Sequence, residues 1–188
     1  MRYHNITTAD MMNGEGLRVV LWLSGCSHKC RNCQNPQTWD ADSGIPFDED
    51  AKEELFRELD KDYILGLTLS GGDPLFEENL DDVLELVNEI RLSFPQKSIW
   101  LYTGYTWNQI MDYEPMIDPD EFDYIEESYI DGLYEKRKQI ISLCDVLVDG
   151  RYIDTKRDIT LHWRGSLNQR VIDIKKSIQK GKIVLWQI

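Results

Sequence analysis

The segment LRVVLWLSGCSHKCRNC, residues 17–33, decides the fold that this sequence predicts. Its first seven residues are apolar and rich in strand formers, with glycines just before them and Ser24-Gly25 just after, which is the pattern of a buried strand. Three cysteines follow in a polar loop that leaves the strand. In parallel sheets, ligands gather in loops beyond the carboxyl ends of the strands. We therefore expect the functional site at that edge of the sheet.

Strand and helix patterns alternate along the rest of the chain. Apolar runs that end in glycine-containing turns predict further strands at residues 64–69, 98–103 and 145–148, and a last run at 183–186 predicts an added edge strand. Amphipathic stretches predict helices at 47–59, capped by Asp48, at 80–94 and from about Trp107. This alternation indicates an α/β fold with a mainly parallel sheet. We expect one domain, residues 1–188, with an acidic, aromatic insertion at about 114–138.

Composition narrows the classes of function. The formal net charge of -13 opposes binding to phosphate backbones, so we expect no nucleic-acid partner. No apolar run approaches a bilayer span, and the first residues lack the pattern of a secretory signal. We therefore expect no membrane association and a cytoplasmic location, where thiols stay reduced. In that setting, crowded cysteines favour metal or redox chemistry over disulfides.

The spacing Cys26-x3-Cys30-x2-Cys33 favours a 4Fe-4S cluster, because three thiolates leave one of the four irons open for an exchangeable ligand. Three alternatives remain open. A zinc site could be completed by His28 or His4, Cys30 and Cys33 could form a redox-active C-x-x-C pair, and the cysteines could simply be packing residues.

The fourth cysteine, Cys144, lies in the apolar segment IISLCDVLV. This setting predicts a buried, inert thiol.

Six blocks of sequence carry a family resemblance, which spans about Asn13 to Asp173. They are ADMMNGEGLRV, SGCSHKCRNCQNPQTWD, LSGGDPL, LYTGYTW, DVLVDGRYI and WRGSLNQRVID. In this order they resemble the activating enzymes of anaerobic ribonucleoside-triphosphate reductase, within the radical S-adenosylmethionine superfamily. The resemblance implies a partial, open beta/alpha barrel with the cluster at its carboxyl-end mouth. It also implies that the methionine part of S-adenosylmethionine chelates the open iron.

The resemblance further assigns residues. Gly71, Gly72 and Asp73 would receive the amino group of the cofactor, and Asn32, Cys33 and Gln34 would lie against it. Many superfamily members have an aromatic residue at the position of Asn32. Further candidates for cofactor or partner contacts, from the resembling blocks, are Trp39, Tyr102, Tyr105, Arg151, Arg164 and Asn168.

The implied activity is reductive cleavage of S-adenosylmethionine to a 5'-deoxyadenosyl radical, which takes hydrogen from a glycine of the partner reductase. No side chain is then needed as an acid or base. The implied partners are the reductase and a one-electron donor such as flavodoxin or a thiol/thioredoxin system, with a homodimer or a complex with the reductase dimer as the assembly. The competing hypotheses are an activase of another glycyl-radical enzyme, a small-molecule radical enzyme, and a non-catalytic zinc-binding adaptor.

Overall fold

The computed structural model describes residues 1–112 and 124–187. Its strands are β1 (Arg2–Asp10), β2 (Arg18–Leu23), β3 (Ile45–Pro46), β4 (Gly66–Gly71), β5 (Ser98–Tyr102), β6 (Val146–Asp149) and β7 (Arg170–Asp173). Its helices are α1 (Glu49–Leu59), α2 (Leu80–Ser93), α3 (Trp107–Met111), α4 (Tyr124–Leu143) and α5 (Ile174–Lys180).

The seven strands form one sheet in the order β3-β1-β2-β4-β5-β6-β7. The inner strands β2, β4, β5 and β6 are parallel and lie side by side in chain order, whereas β1, β3 and β7 add on antiparallel to their neighbours. Among the residues that the structure describes, the end strands β3 and β7 do not pair with each other, so the sheet does not close. The fold is therefore an open α/β sheet with a parallel centre.

Alternation along the parallel strands divides their side chains between two faces. On one face, Leu21, Leu69 and Leu101 are fully buried and pack in the same core as Leu55 of α1 and Val87 of α2. Helix α1 begins where the sequence predicted, since the Asp48 carboxylate accepts a hydrogen bond from Ala51 N at 3.1 Å. Burial of these aliphatic side chains is the main favourable contribution to stability.

The opposite face of the sheet carries polar and aromatic side chains. Arg18 is fully buried there and donates hydrogen bonds to Thr68 Oγ1 at 2.8 Å and Ser98 Oγ at 2.9 Å. Burial lowers the pKa of this guanidinium to about 10, because no water solvates the charge. The guanidinium lies 5.3 Å from the ring centroid of Trp100, and Trp100 packs edge-on against Trp163 at 5.0 Å between ring centroids. Buried polar and aromatic side chains therefore cover this part of the face.

The sequence predicted the first and last residues of the parallel strands to within two positions, but it did not predict the antiparallel strands. Strands β1, β3 and β7 had no clear apolar run. The predicted edge strand at 183–186 lies beside β7 but forms only one antiparallel bridge, Ile172 with Leu185. Within the described ranges, no helix is both long and apolar enough to cross a membrane.

The expected insertion at 114–138 falls partly outside the described residues. Residues 124–138 belong to helix α4, which contacts α2. The insertion itself stays a prediction.

Candidate functional site

The loops that follow β2, β4, β5 and β6 meet at one edge of the sheet. Asp73 N donates to Gly25 O at 2.8 Å, which joins the loop after β4 to the start of the cysteine loop. Gly150 N donates to Tyr105 O at 2.9 Å, which joins the loops after β6 and β5. These hydrogen bonds bring the loops together at the edge of the sheet where the sequence analysis expects the functional site.

The three cysteines of the loop are near neighbours with unjoined sulfurs. All are free thiols that are partly exposed. The pKa of Cys26 is raised to about 11, mainly by burial and also by the negative charges of Asp73 and Cys30. Burial likewise raises the pKa of Cys30, with a further contribution from Cys33. Each thiol thus lies within electrostatic reach of the next one.

Backbone N–H groups surround the sulfurs. Those of His28 and Lys29 face Cys26 and lower its pKa, and that of Tyr152 does the same for Cys30. Asn35 N lies 3.4 Å from Cys33 Sγ, within hydrogen-bonding distance of sulfur. Such donors stabilise thiolates and tune the potential of a cluster bound to them.

The two histidines that the sequence offered as zinc ligands, His28 and His4, have other neighbours in the structure. Among residues 1–112 and 124–187, no three His, Cys, Asp or Glu side chains converge on a point that could hold a single metal ion. His28 Nε2 is turned toward Asp73, at 2.7 Å from Oδ2, and His4 Nε2 lies 2.9 Å from Ser43 Oγ. Neither histidine completes a zinc site with the cysteines. Which metal group the three thiols bind stays a prediction.

The glycines after β4 are needed for close packing of two backbones. Gly71 has φ +95°, in the region that favours glycine, and a Cβ on Gly72 would lie 2.5 Å from Gly25 O and 3.0 Å from Leu23 O. The family resemblance assigned these glycines to contact with the cofactor. The structure adds a reason inside the protein, because the turn packs directly on the cysteine loop.

Asp73 is only 2% exposed, and both of its carboxylate oxygens accept hydrogen bonds. Oδ1 accepts from Leu75 N at 2.8 Å, and Oδ2 accepts from Thr103 Oγ1 at 2.9 Å and Gly104 N at 3.0 Å. The carboxylate therefore joins the end of β4 to the loop after β5. Its contact with a cofactor stays a prediction.

An open cavity of about 460 Å³ lies beside the cysteine loop, on the face of the sheet opposite the described helices. Of the predicted residues, Cys33, Gln34, Tyr102 and Arg164 line it. The Tyr102 hydroxyl is buried and has no hydrogen-bond partner within the described part of the chain, and burial raises its pKa. A buried hydroxyl without a partner at a cavity wall fits a site for a polar ligand.

The other predicted residues lie around the cavity rather than in its wall. Asn32, at φ 57°, donates to Asp154 Oδ2 at 2.8 Å, and Asn168 donates to Arg151 O at 2.8 Å. Trp39 supports the loop through its carbonyl, which accepts from Cys26 N at 3.1 Å. Tyr105 and Arg151 both contact His28.

Sequence reasoning missed several residues of the cavity wall. They are Trp22 and Ser70, which are side by side with Tyr102 across β2, β4 and β5, and Tyr152, Trp163 and Gln169 from the segment between β6 and β7. The only signal for the last two was their place in the block WRGSLNQR. Aligning the neighbouring strands would have shown that Trp22 and Ser70 share a face with Tyr102.

Cys144 is fully buried, and burial raises the pKa of its thiol to about 12. Cys144 is out of reach of reagents, whereas the loop cysteines are partly exposed. Because reactivity requires access as well as the thiolate form, iodoacetamide at pH 8 should leave Cys144 unmodified in the native, cluster-free protein while it slowly alkylates the loop cysteines. Mass spectrometry of peptides would measure this.

Cys144→Ala should leave activity nearly intact, and a loss of activity without unfolding would contradict an inert role.

Comparison with known proteins agrees with the geometry. A family model described as a 4Fe-4S single cluster domain matches residues 12–172. Anaerobic ribonucleoside-triphosphate reductase-activating proteins are similar over most of this chain. That of Escherichia coli K12 is 37% identical over 173 residues, covering 91% of this chain and 97% of its own. That of Enterobacteria phage T4 is 38% identical over 174 residues, covering 91% and 93%.

The similarity thus covers the cysteine loop, the turn after β4 and the cavity wall together, and not only a shared sheet. This chain belongs to the family of anaerobic ribonucleoside-triphosphate reductase-activating proteins.

Proposed function

We propose that this chain binds a 4Fe-4S cluster through Cys26, Cys30 and Cys33 and activates an anaerobic ribonucleotide reductase by means of S-adenosylmethionine. The observation that carries the proposal is the position of three neighbouring thiols, each near a backbone N–H, beside a cavity at the edge where four parallel strands end. When bound, the cluster would supply the electron that breaks the sulfur to 5'-carbon bond of S-adenosylmethionine, which would release methionine and a 5'-deoxyadenosyl radical able to take a hydrogen atom from a glycine of the reductase.

The residues of this chain would hold and orient the cofactor. Cys33 and Gln34 form the cavity wall next to the cluster, and the backbone of Gly71, Gly72 and Asp73 lies across the turn from Gly25. The Tyr102 hydroxyl offers a hydrogen bond that the described residues do not use. Because Asn32 is bonded to Asp154, it would shape the loop more than contact adenine. The parallel strands follow one another in chain order, which supports a partial beta/alpha barrel of the radical S-adenosylmethionine type.

The activity can be tested with anaerobically reconstituted protein. It should be brown, contain about four irons per chain and release 5'-deoxyadenosine from S-adenosylmethionine under reduction. With the reductase added, electron paramagnetic resonance should detect a glycyl-radical doublet. Cofactor cleavage without a doublet in a competent mixture would favour another glycyl-radical partner or a small-molecule substrate. Stoichiometric zinc and no iron would favour the adaptor.

The loops next to the cavity carry exposed positive charges on an otherwise acidic chain. Five exposed cations, here called the basic rim, lie in the cysteine loop and in the segment after β6, and Arg157 also lines the cavity: Lys29, Arg31, Arg151, Lys156 and Arg157. Hydrogen bonds from Asn32 and Tyr152 lower the pKa of Asp154, to which the charges of Arg31 and Arg157 also contribute, and Arg151 Nε lies 3.1 Å from His28 Nδ1. Within the described ranges, no rim cation forms an ion pair with a carboxylate. A positive rim on a chain of charge -13 would steer an acidic partner, and we assign it to an acidic electron donor of the flavodoxin class.

Charge reversal on the basic rim tests this assignment. Arg31→Glu with Lys156→Glu should slow cluster reduction by flavodoxin roughly tenfold at low salt, and the difference should shrink at high salt. The matched control is Lys180→Glu with Lys182→Glu, which makes the same charge change at the other end of the sheet. Stopped-flow absorbance would measure the rate. Equal slowing in both double variants would contradict a local docking surface.

A further inference from the structure

His28 lies inside the cysteine loop, yet its side chain is turned into the protein. Its side chain is only 5% exposed, whereas its loop neighbours Ser27 and Lys29 are exposed. Burying a polar ring costs desolvation free energy unless the ring makes specific contacts that compensate for it. Its partners should therefore reveal what the ring does.

The ring contacts the loops that follow the other three parallel strands. Nε2 lies 2.7 Å from Asp73 Oδ2, at ion-pair distance although not aligned as a hydrogen bond. Nδ1 accepts from Arg151 Nε at 3.1 Å, and the ring meets Tyr105 edge-on at 4.7 Å between centroids. Since Nδ1 is an acceptor, the proton of a neutral ring is on Nε2, the atom that faces Asp73.

Gly104 makes room for this ring. A Cβ on Gly104 would lie 2.2 Å from His28 Cδ2 and 2.6 Å from Cγ and Nε2, and Gly104 N donates to Asp73 Oδ2 at 3.0 Å. We call His28, Asp73 and Gly104 the His28 lock. It joins the cysteine loop to the ends of β4 and β5 at a single point.

The cysteine loop needs such a restraint. Lys29 and Asn32 have φ values of 45° and 57°, which residues other than glycine adopt at an energetic cost. Between Cys26 and Cys33, the described backbone makes one hydrogen bond within the loop, from Cys33 N to Cys30 O at 3.1 Å. Contacts made by side chains must therefore hold much of this conformation.

We propose that His28 is a positioning residue that, through the His28 lock, sets where the cysteine sulfurs stand relative to the turn Gly71-Gly72-Asp73. The effect of His28 on catalysis rests on the proposed function, because that turn would receive the cofactor. The effect of His28 on the loop conformation is independent of the proposed function, because the His28 lock consists of contacts within this chain. The two parts can be measured separately.

The loop is tested first, on full-length protein without a cluster. His28→Ala should increase the rate at which iodoacetamide alkylates Cys26, Cys30 and Cys33 by about tenfold, which corresponds to about 1.4 kcal/mol of lost restraint. Circular dichroism would verify folding. The matched control His162→Ala changes an exposed histidine that is not in the cavity wall and should leave the rates unchanged. An unchanged rate in folded His28→Ala protein would overturn the proposal.

A double-mutant cycle tests the position of the ring. Gly104→Ala alone should loosen the loop about as much as His28→Ala, because the added methyl group displaces the ring. The double variant should be no worse than His28→Ala, since the space is then vacant. Additive effects would mean that the ring does not lie against Gly104, and would overturn the lock.

The last test measures the kinetics of S-adenosylmethionine cleavage by the reconstituted enzyme. His28→Ala should keep its iron content but have a higher KM for S-adenosylmethionine with a smaller change in kcat, and His28→Asn, which keeps a polar group, should recover part of the difference. Equal KM values for wild type and His28→Ala would overturn the role toward the cofactor. Failure of the wild type to cleave S-adenosylmethionine would instead reject the proposed function, with the alkylation result unaffected.

Discussion

Replacing Cys26, Cys30 or Cys33 singly with Ala is expected to reduce 5'-deoxyadenosine release to the level of a protein-free control. The proposed site has three thiols, and a cubic cluster needs all three to leave only one iron open. With two thiols, two irons would lack protein ligands and the cluster would be lost. Iron content and visible absorption should therefore fall together with activity.

Cys144→Ala is the matched control for this series, because it removes a thiol that lies in the core. It should retain about four irons per chain and nearly full cleavage. A loop variant that keeps both its iron and its activity would refute the ligand assignment for that cysteine. Equal loss in all four variants would indicate general destabilisation in place of ligand loss.

Gly72→Ala is expected to damage both stability and activity. Its Cβ would lie 2.5 Å from Gly25 O, a backbone atom that cannot turn aside. Forced overpacking typically costs about 1–3 kcal/mol, and each kcal/mol lowers Tm by roughly 2–4 °C in a domain of this size. The methyl group would also push the turn away from the cysteine loop, and a shift of about 1 Å at a reacting centre can cost on the order of a hundredfold in rate. Thermal unfolding and cofactor cleavage would measure the two effects.

Gly132→Ala is the control, since a Cβ at this position in α4 meets no atom within 4 Å. Alanine in an exposed helix should stabilise the protein by about 0.5–1 kcal/mol and leave activity unchanged. If Gly72→Ala were as stable and active as wild type, the close packing of these two loops would be wrong.

The parallel centre of the fold could be predicted because its strands are buried on both faces. Residues 17–23 and 64–69 are continuous apolar runs that end in glycine-containing turns, a strong local signal. Strand β1, RYHNITTAD, has no such signal because it is half exposed. Strand β7 follows a polar loop and is defined by its pairing with β6. Pairing between distant segments is not encoded in local pattern.

The site could be predicted only in part, because only some of its features are local in the sequence. The cysteine spacing and the Gly71-Gly72-Asp73 turn are local features that can be recognised in a sequence. The burial of His28 and Asp73 is not local, because it results from contacts between loops that are far apart in the chain. His28 looked like a spare zinc ligand in the sequence, and only its packing on Gly104 reveals a different role.

By itself, the sequence determined the alternation of strands and helices, the loop that holds the thiols and the family to which the chain belongs. Only the tertiary structure decided which side chains share the cavity, why Gly72 has no side chain, and what the ring of His28 touches. The physical reason is the separation of the residues along the chain. Hydrophobic periodicity and ligand spacing involve residues that are close in sequence. Cavity walls and buried polar contacts form only when strands distant in sequence align in register.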